Sequence, residues 1–378
     1  MIIQEVSTAH DLREFIQFPK KLYKGCPYYI PPLDTGEMAT LTKHPALDFC
    51  QLKMWLARED GQVVGRIAGI INEKCNELKN QKRVRFSWFD TIEDENVAKA
   101  LMETVEKWGA EQGMEEICGP SRFSNMEHQA MLVEGFDHPS TISCDYNYPY
   151  YPQFMEQLDF EKEVDYVQYK VKVQAVPEAI ERIAQRVEQQ HHIHVRHFRS
   201  RTELKKKGRE MFKVLNESYH KIFNFIPLTD KEIDWVIRND LAVARLDLIS
   251  ILEDDQGKMV GISFCLPSLN RTLQKINGKL FPFGWMHILR AIKKNKNVDM
   301  YLTGVLPEYN NSGIHVLYHK ELNEVFLANG YEYAYTSQQL EDNPAQHIWS
   351  RYASEPYCRR RCYKKSIRTA ENTHTAKA

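Results

Sequence analysis

The sequence predicts two α/β domains in tandem, each built on a mixed β-sheet. Three observations support this fold class: a strand–turn–helix–strand unit at 299–336, and two phrases that occur once in each half of the chain. With 378 residues, the chain is long enough for two domains. Its content of 43% hydrophobic and 27% charged residues is ordinary for a globular protein.

The unit at 299–336 begins with a strand over Met300–Leu306, which Pro307 ends, and a turn rich in Asn, Ser and Gly follows. Apolar residues then recur at i, i+3 and i+4, which predicts a helix with one buried face: Ile314, Leu317, Tyr318, Leu322, Val325 and Phe326. Asn329-Gly330 predicts the end of this helix, and alternation around Tyr333 predicts a second strand. Such a turn can offer the free N–H groups of a helix start to a pyrophosphate. An ordinary connection without a ligand is the alternative.

In the first half, the sequence predicts five strands that surround two helices. One helix starts near Thr8 and runs towards Tyr23, and the other is capped by Asp94 and ends at Gln112-Gly113. Alternating or apolar runs predict strands at 1–7, 54–59, 63–71, 84–89 and 115–118.

The second half repeats this order with a strand, a helix and a hairpin, expected at 193–198, 202–219, 246–254 and 259–266. The phrase REDGQVVG at 58–65 returns as EDDQGKMVG at 253–261, and EQGMEEI at 111–117 returns as ANGYEYA at 328–334. The second half is longer between the two phrases. We therefore expect the segment 269–298 to be an insertion in one copy of a repeated fold.

The unit at 299–336 resembles the core motif of the GNAT acyltransferase superfamily, where a strand ending near Val-x-Pro leads into a Gly-containing turn that holds the coenzyme A pyrophosphate. Val305-Leu306-Pro307 fits the strand end and Gly313 fits the first glycine, whereas Asn310 stands where Gln or Arg is usual. His315 stands where a second small residue is usual. The resemblance implies a donor site formed by the strand end, the turn and an asparagine after the next strand: Leu306, Asn311, Ser312, Gly313, Ile314, His315 and Asn343.

Both halves resemble GNAT domains, so the chain is similar to the tandem-GNAT acyltransferases. The phrase LYKGCPYYIPP at 22–32, together with LVEGFD at 132–137 and NYPYY at 147–151, resembles a bacterial GNAT-like family. Some relatives of this family are thought to be bacterial ceramide synthases, which move a long acyl group from a thioester to a sphingoid amine. We expect an N-terminal GNAT-like domain at 1–172, a linker helix at 173–192, a C-terminal GNAT-like domain at 193–368 and a disordered tail at 369–378.

The corresponding turn of the first half differs, because FDTIEDENVAKAL at 89–101 contains no glycine. It carries several acidic residues, which repel a pyrophosphate at short range and which can cap the following helix themselves. The first domain is therefore predicted to be a degenerate copy with a structural or acceptor-side role. The donor site is predicted in the second domain.

Acyl transfer to an amine requires a base, donors for the carbonyl oxygen and an acid for the leaving thiolate. Glu127 and Glu134 are candidate bases, because apolar neighbours such as Met131 can desolvate a carboxylate and raise its pKa. A loop that caps the first domain is the alternative. Tyr352 lies in the region of the family's tyrosine acid, and a packing role is the alternative.

These features predict a coenzyme A-dependent N-acyltransferase that uses acyl-CoA or acetyl-CoA and a small-molecule or lipid amine. The alternative is a non-catalytic GNAT-fold module that binds acyl-CoA or a protein partner. The net charge of −1 argues against a nucleic-acid binder and gives little support to a transferase that uses aminoacyl-tRNA. No metal is expected, since the 8 cysteines form no Cys-x-x-Cys pair and the histidines at 191–197 have no carboxylate placed beside them.

The chain starts without the apolar run of a signal peptide, so a cytoplasmic location is expected. The insertion 269–298 contains no Asp or Glu, and its basic residues flank apolar positions at helical spacing: Trp285, Ile288, Leu289 and Ile292. This pattern predicts peripheral contact with the inner membrane surface through 271–296, or a lid over an acyl chain. A helical hairpin that packs on the second domain is the alternative.

Overall fold

The computed structural model describes residues 1–239, 241 and 244–367. The predicted tail at 369–378 lies outside the described residues. The chain forms two compact units: the first comprises 1–167, 273–284 and the chain from Cys358 onward, and the second comprises 168–272 and 285–357.

The first unit consists of strands and helices in alternation along the chain. Its strands are β1 (Ile2–Glu5), β2 (Cys50–Glu59), β3 (Gln62–Asn72), β4 (Arg83–Thr91), β5 (Glu116–Gly119), β6 (Met131–Glu134) and the start of β7 (Glu161–Lys172). Its helices are α1 (Ala9–Leu22), α2 (Asp34–Lys43), α3 (Glu73–Lys79), α4 (Glu95–Glu111) and α5 (Tyr150–Gln157).

The sheet of the first unit has the strand order β1-β2-β3-β4-β5, followed by the last strand of the chain, β14 (Ser354–Ser366), with β6 beside it. Strands β4 and β5 pair in parallel, over Arg83–Arg85 of β4. Helix α4 packs its apolar face on the sheet, and a Cβ at Gly69 would lie 2.8 Å from the Trp108 ring. This close approach fixes α4 beside the point where β4 and β5 part.

The second unit repeats this order. Within the segment 269–298 the chain enters the first unit at Leu273 and returns to the second at Trp285, so α9 (Asn270–Ile276) belongs in part to each. The helices of the second unit are α6 (Glu178–His191), α7 (Arg201–Ser218), α8 (Asp230–Asn239), α10 (Gly284–Lys293) and α11 (His315–Ala328). Its strands are the end of β7, β8 (Ile193–His197), β9 (Ile249–Asp254), β10 (Met259–Pro267), β11 (Asn297–Val305), β12 (Tyr333–Tyr335) and β13 (Gln339–Leu340).

The sheet of the second unit has the order β7-β12-β11-β10-β9-β8. Strands β11 and β12 pair in parallel over Asn297–Asp299 only, just as β4 and β5 do over Arg83–Arg85. Asp299 and Arg85 are thus the last paired residues at equivalent points of the two sheets. The predicted hairpins, the helix after each turn and the shared strand order are confirmed, while α2, α3, α5 and α8 were not anticipated from the sequence.

The segment at 284–293 is helical, so the predicted spacing places Trp285, Ile288 and Leu289 on one side of α10. Their exposure nevertheless differs, since Ile288 is 7% exposed while Trp285 and Leu289 are 44% and 50% exposed. Helix α10 turns Ile288 and Ala291, three residues apart, towards the protein. Trp285 and Leu289 lie beside this buried stripe and face solvent.

Candidate functional site

The turn before α11 holds the predicted donor residues. Asn311 and Gly313 adopt left-handed backbone conformations, with φ of 67° and 81°. The Ser312 hydroxyl donates to Tyr309 O at 2.6 Å and accepts from Ile314 N at 3.3 Å. No side chain caps the start of α11. Backbone bonds already use part of this helix start, since the N–H groups of Ser312, Val316 and Leu317 donate to Tyr309 O, Gly313 O and Ile314 O at 3.0–3.1 Å. An anion at this helix start would compete with these bonds.

The backbone conformation at position 313 favours glycine more strongly than the space available for a side chain does. A Cβ placed there would lie 3.6 Å from Val187 Cγ2, which is an ordinary contact. A positive φ, however, costs little for glycine, more for Asn and Asp, and most for other residues.

Of the other predicted donor residues, Leu306 precedes this turn, Ile314 and His315 end it, and Asn343 lies later in the chain, after β13. Leu306 and Ile314 are buried at 3% and 0% exposure, and Leu306 N–H donates to Val260 O at 2.8 Å. His315 is the first residue of α11, and burial, with a contribution from Arg351, lowers the pKa of its imidazole. Asn343 N–H donates to Leu340 O at 3.0 Å. The turn therefore has an apolar floor and an uncharged imidazole at neutral pH.

Asp299 is a buried carboxyl group that the sequence analysis did not single out. It is 4% exposed, and it lies opposite Leu266 on β10 and Tyr335 on β12. Within the described residues, neither carboxyl oxygen has a partner at full hydrogen-bond geometry, although the Ser268 side chain lies near enough to interact with the group. Burial raises the pKa of Asp299 to about 7, and the Ser268 side chain partly offsets the shift. A carboxyl group with a pKa near neutrality can accept a proton during a reaction at pH 7.

Beyond Asp299, side chains from the end of α7 bond to the backbone of β11. Tyr219 OH donates to Thr303 O at 2.8 Å and accepts from Thr303 N at 3.3 Å. Ser218 Oγ donates to Val305 O at 2.7 Å, and a Cβ at Gly304 would lie 2.9 Å from the Ser218 side chain. These contacts satisfy backbone groups of β11 where a neighbouring strand is missing.

Tyr352, the predicted acid, belongs to an aromatic cluster. Its ring centroid lies 6.2 Å from that of Trp349 and 6.4 Å from that of His319 on α11. Burial raises the pKa of Tyr352 to about 12 and lowers the pKa of His319 to about 3. Among the described residues the Tyr352 hydroxyl has no hydrogen-bond partner. At neutral pH the phenol thus keeps a proton that it can donate.

The two candidate bases, Glu127 and Glu134, lie in the first unit. Glu127 Oε2 accepts from Phe123 N and Ser124 N at 3.0 and 3.3 Å, and Oε1 lies 3.3 Å from His44 Nε2. Glu134 is 70% exposed at its side chain and pairs with Arg359 at 3.3 Å. Glu127 thus stabilises the loop that follows β5, and their assignment as bases stays a prediction.

We expect Glu127→Ala to destabilise the protein by about 1–3 kcal/mol, because two backbone N–H groups lose their acceptor. Urea unfolding measures the difference, and Glu134→Ala is the control with an expected change below about 1 kcal/mol. Unchanged stability together with lost activity in Glu127→Ala would instead support a direct role in catalysis.

A charged pocket of about 50 Å³ opens in the first unit where β4 and β5 part. On one side, Arg66 Nε donates to Asp90 Oδ2 at 2.7 Å, and Tyr23 OH donates to Asp90 Oδ1 at 2.9 Å. Burial raises the pKa of Asp90, and Arg66 offsets the shift only in part. Tyr23 also stacks on Tyr29 at 4.6 Å and contacts Tyr151 OH at 3.2 Å. The phrases 22–32 and 147–151, which carry the family resemblance, therefore meet at this pocket.

The other side of the charged pocket is organised by Arg122. Its NH1 donates to Glu37 Oε1 at 2.9 Å, and its guanidinium lies 4.3 Å from the Trp88 ring. Trp88 Nε1 donates to Glu37 Oε2 at 2.7 Å, while His128 and Asp145 form a second pair at 2.7 Å. The pocket has room for roughly three or four water molecules. Its size and charge suit a small polar or cationic group.

The helix start in the first unit is closed to anions. Asp94 is the N-cap of α4, and its carboxylate accepts from Asn96 N at 2.8 Å. This matches the expectation that acidic residues cap the helix in this turn.

Among the described residues, one group of possible metal ligands has its atoms within 4.8 Å of one another: His10, Asp11 and Glu14. Arg58 donates to Glu14 at 2.5 Å, and Thr8 donates to Asp11 at 2.7 Å. The carboxylates thus serve as partners for a guanidinium and a helix cap, and they need no metal to explain their positions.

Within the described ranges, every helix is too short or too polar to cross a bilayer.

No protein-family model matches the chain. A protein of Escherichia coli K12 named YghO is 29% identical over 377 residues, which cover 97% of this chain and 95% of that protein. A bacterial ceramide synthase of Caulobacter vibrioides is 26% identical over 373 residues, covering 96% of each chain.

Among solved structures, a tandem GNAT protein from the clavulanic acid biosynthesis pathway superposes with a TM-score of 0.58 at 11% identity. The superposition covers 98% of this chain and 99% of the other, so it extends over both units. It confirms the predicted fold class of mixed α/β domains in tandem.

Proposed function

This chain is a tandem GNAT-fold, acyltransferase-like protein, and from that premise we propose that it moves an acyl group from a coenzyme A thioester to a primary amine. The observation that carries the proposal is the parting of β11 and β12 after Asp299, on the strand that leads into the turn before α11. The second unit therefore contains both the Asp299 carboxyl group, with a pKa near neutrality, and a helix start whose dipole favours an anion.

The donor is proposed to bind with its pyrophosphate at the turn Asn311–His315. The left-handed turn and the start of α11 support this placement, because the helix dipole favours an anion there and no acidic side chain lies in the first turn. The buried side chains of Leu306 and Ile314 support it as well, since they give the turn an apolar base on which the acyl-bearing arm can lie.

Asp299 is proposed as the base and Tyr352 as the acid. The amine nitrogen attacks the thioester carbonyl carbon, and the carbon–sulfur bond breaks as the amide forms. The ammonium proton goes to the Asp299 carboxylate, and the leaving sulfur takes the phenolic proton of Tyr352. The pKa of about 7 at Asp299 and of about 12 at Tyr352 supports these roles, since each group starts in the protonation state that its step needs.

The acceptor is proposed to be a primary amine with a long chain. The bacterial ceramide synthase that is 26% identical over nearly the whole chain supports a lipid acceptor. A small amine is the alternative, and activity with acetyl and palmitoyl donors on short and long amines distinguishes the two.

A second candidate function is non-catalytic binding of acyl-CoA or of a protein partner. The hydrogen bonds from Ser218 and Tyr219 to β11 favour it, because they occupy backbone groups that a bound donor would use. His315 also places a ring where close approach of a ligand to the backbone is expected. Binding of acyl-CoA without turnover on any amine tested would support this candidate.

The experiment that tests the donor site compares Gly313→Asp with Gly313→Asn and with Asp94→Asn. Gly313→Asp adds a negative charge at the proposed pyrophosphate, so we expect coenzyme A affinity to fall by at least about tenfold. Gly313→Asn has nearly the same shape without the charge, and Asp94→Asn changes the equivalent helix of the first unit. Calorimetric titration with free coenzyme A measures all three. Equal, small effects would show that the turn does not hold the pyrophosphate.

A further inference from the structure

Helix α10 presents an outward face that mixes large apolar and basic side chains. Trp285, Met286 and Leu289 are 44%, 52% and 50% exposed, whereas Ile288 and Ala291 are 7% and 9% exposed. At 100° per residue, Lys293 lies between Leu289 and Met286 on the outward face, with Arg290 at its margin. The helix is thus anchored by one side and leaves an apolar and cationic side to solvent.

The sequence around α10 carries basic residues but no acidic ones over a long stretch. The sequence from Gln256 to Val298 contains no Asp or Glu. Lys258 and Lys296 pair with the carboxylates of Glu308 and Glu332, but among the described residues no ion pair involves Arg290, Lys293 or Lys294. These three side chains therefore keep their positive charge available to an external anion.

The residues that precede α10 in the chain add two aromatic side chains to the solvent-exposed set. Phe281 and Phe283 are 71% and 67% exposed. Five of the large apolar side chains that this chain leaves exposed therefore fall within nine consecutive residues, 281–289. Exposed apolar side chains that cluster in this way mark an interaction surface, unlike single ones scattered over a protein.

We infer that the outward face of α10 binds the surface of an anionic lipid bilayer. Aromatic and aliphatic side chains suit the boundary between headgroups and acyl chains, and lysines and arginines at the same level attract anionic headgroups. A protein partner would be expected to offer carboxylates to the basic residues and a shaped cavity to the apolar ones, whereas a bilayer accepts the mixed face without a matching shape. This inference is independent of the proposed transfer activity, because it concerns a surface outside the turn and Asp299.

The test is co-sedimentation of the full-length protein with vesicles of phosphatidylcholine containing about 30% phosphatidylglycerol, at low and at high salt. We expect binding to these vesicles at low salt and much weaker binding to pure phosphatidylcholine, because the attraction is largely electrostatic. Met286→Glu with Leu289→Glu is expected to reduce binding by about tenfold or more, since charge replaces the inserting side chains. Lys293→Glu with Lys294→Glu is expected to remove the dependence on phosphatidylglycerol.

The matched control is Leu78→Glu with Lys79→Glu, which changes an exposed leucine and a neighbouring lysine on α3. This control should bind the anionic vesicles like the unmodified protein. Absence of binding to anionic vesicles at low salt would overturn the inference, as would equal loss in the control and in the α10 variants. Coenzyme A titration of the same variants separates the two proposals, because the donor site should be unaffected by changes in α10.

Discussion

Asp299→Asn is expected to lower kcat/KM for N-acyl transfer by about 10²–10⁴-fold, the usual contribution of a general base. The amide cannot accept the proton that the attacking amine must lose. In the unmodified protein, activity should rise with pH and level off above about 7, because only the ionised carboxyl group of Asp299 acts as a base. Asn at this position should remove that rise.

The same variant has a second signature in stability. The pKa of Asp299 is raised in the folded protein from 3.8 to about 7, so the folded state holds a proton that the unfolded state has released between these values. Stability of the unmodified protein therefore falls as pH rises from about 4 to 7, and it does not recover above 7. Asp299→Asn lacks this loss, so its stability relative to the unmodified protein should improve by up to about 3 kcal/mol between pH 5 and pH 8.

Steady-state kinetics and urea unfolding at several pH values measure both effects. Glu332→Gln is the control, because Glu332 is an exposed acid whose partner is Lys296 and whose loss should change neither quantity by much. Activity within about threefold of the unmodified protein would show that Asp299 is not the base. A stability difference that does not change with pH would show that its carboxyl group is already ionised below pH 5.

The largest expected effect on stability is that of Arg122→Ala in the charged pocket. Arg122 is 5% exposed, and its removal leaves the buried Glu37 carboxylate without its cation. Breaking a buried pair from one side costs about 3–5 kcal/mol, since the remaining charge stays desolvated. Lys82→Ala, which breaks an exposed pair with Glu115, should cost about 0–1 kcal/mol.

The pH dependence of Arg122→Ala identifies the cause. Burial is the largest influence and works to raise the pKa of Glu37, but Arg122, His128 and the hydrogen bond from Trp88 together hold the pKa below 4.5. Without Arg122, burial should raise the pKa of Glu37 above 4.5, so the variant should regain stability as pH falls towards 4. Urea unfolding at pH 7 and pH 4 tests this. An equal deficit at both values would mean that lost packing on Trp88, and not the stranded carboxylate, causes the instability.

The elements that could be predicted from the sequence are those determined by residues close together in the chain. The helix after Gly313 follows from apolar spacing, and the capping of α4 by Asp94 follows from a single acidic residue before an apolar run. Both hairpins follow from a turn phrase between alternating strands. The tandem order could be read from two short phrases because repetition within one chain needs no other sequence for comparison.

The parts that were missed depend on residues far apart in the chain. The charged pocket joins Glu37, Arg66, Asp90 and Arg122, and no pattern of spacing connects them. Asp299 lies between Val298 and Met300, where its burial depends on neighbours from β10 and β12. The exposure of α10 could not be predicted from the sequence, because helical spacing shows that an apolar face exists but not how much of it packs inward.

The two hydrogen bonds of Tyr219 to Thr303 have a consequence for what can bind along β11. The phenolic hydroxyl of Tyr219 donates to the carbonyl oxygen of Thr303 and accepts from its amide N–H. A single oxygen atom thus makes the two hydrogen bonds that a neighbouring strand would make. A guest that displaces it must itself supply a donor and an acceptor, or it leaves a peptide group unsatisfied at a cost of about 1–3 kcal/mol. We therefore expect guests that carry amide bonds to replace Tyr219 more readily than plain hydrocarbon chains.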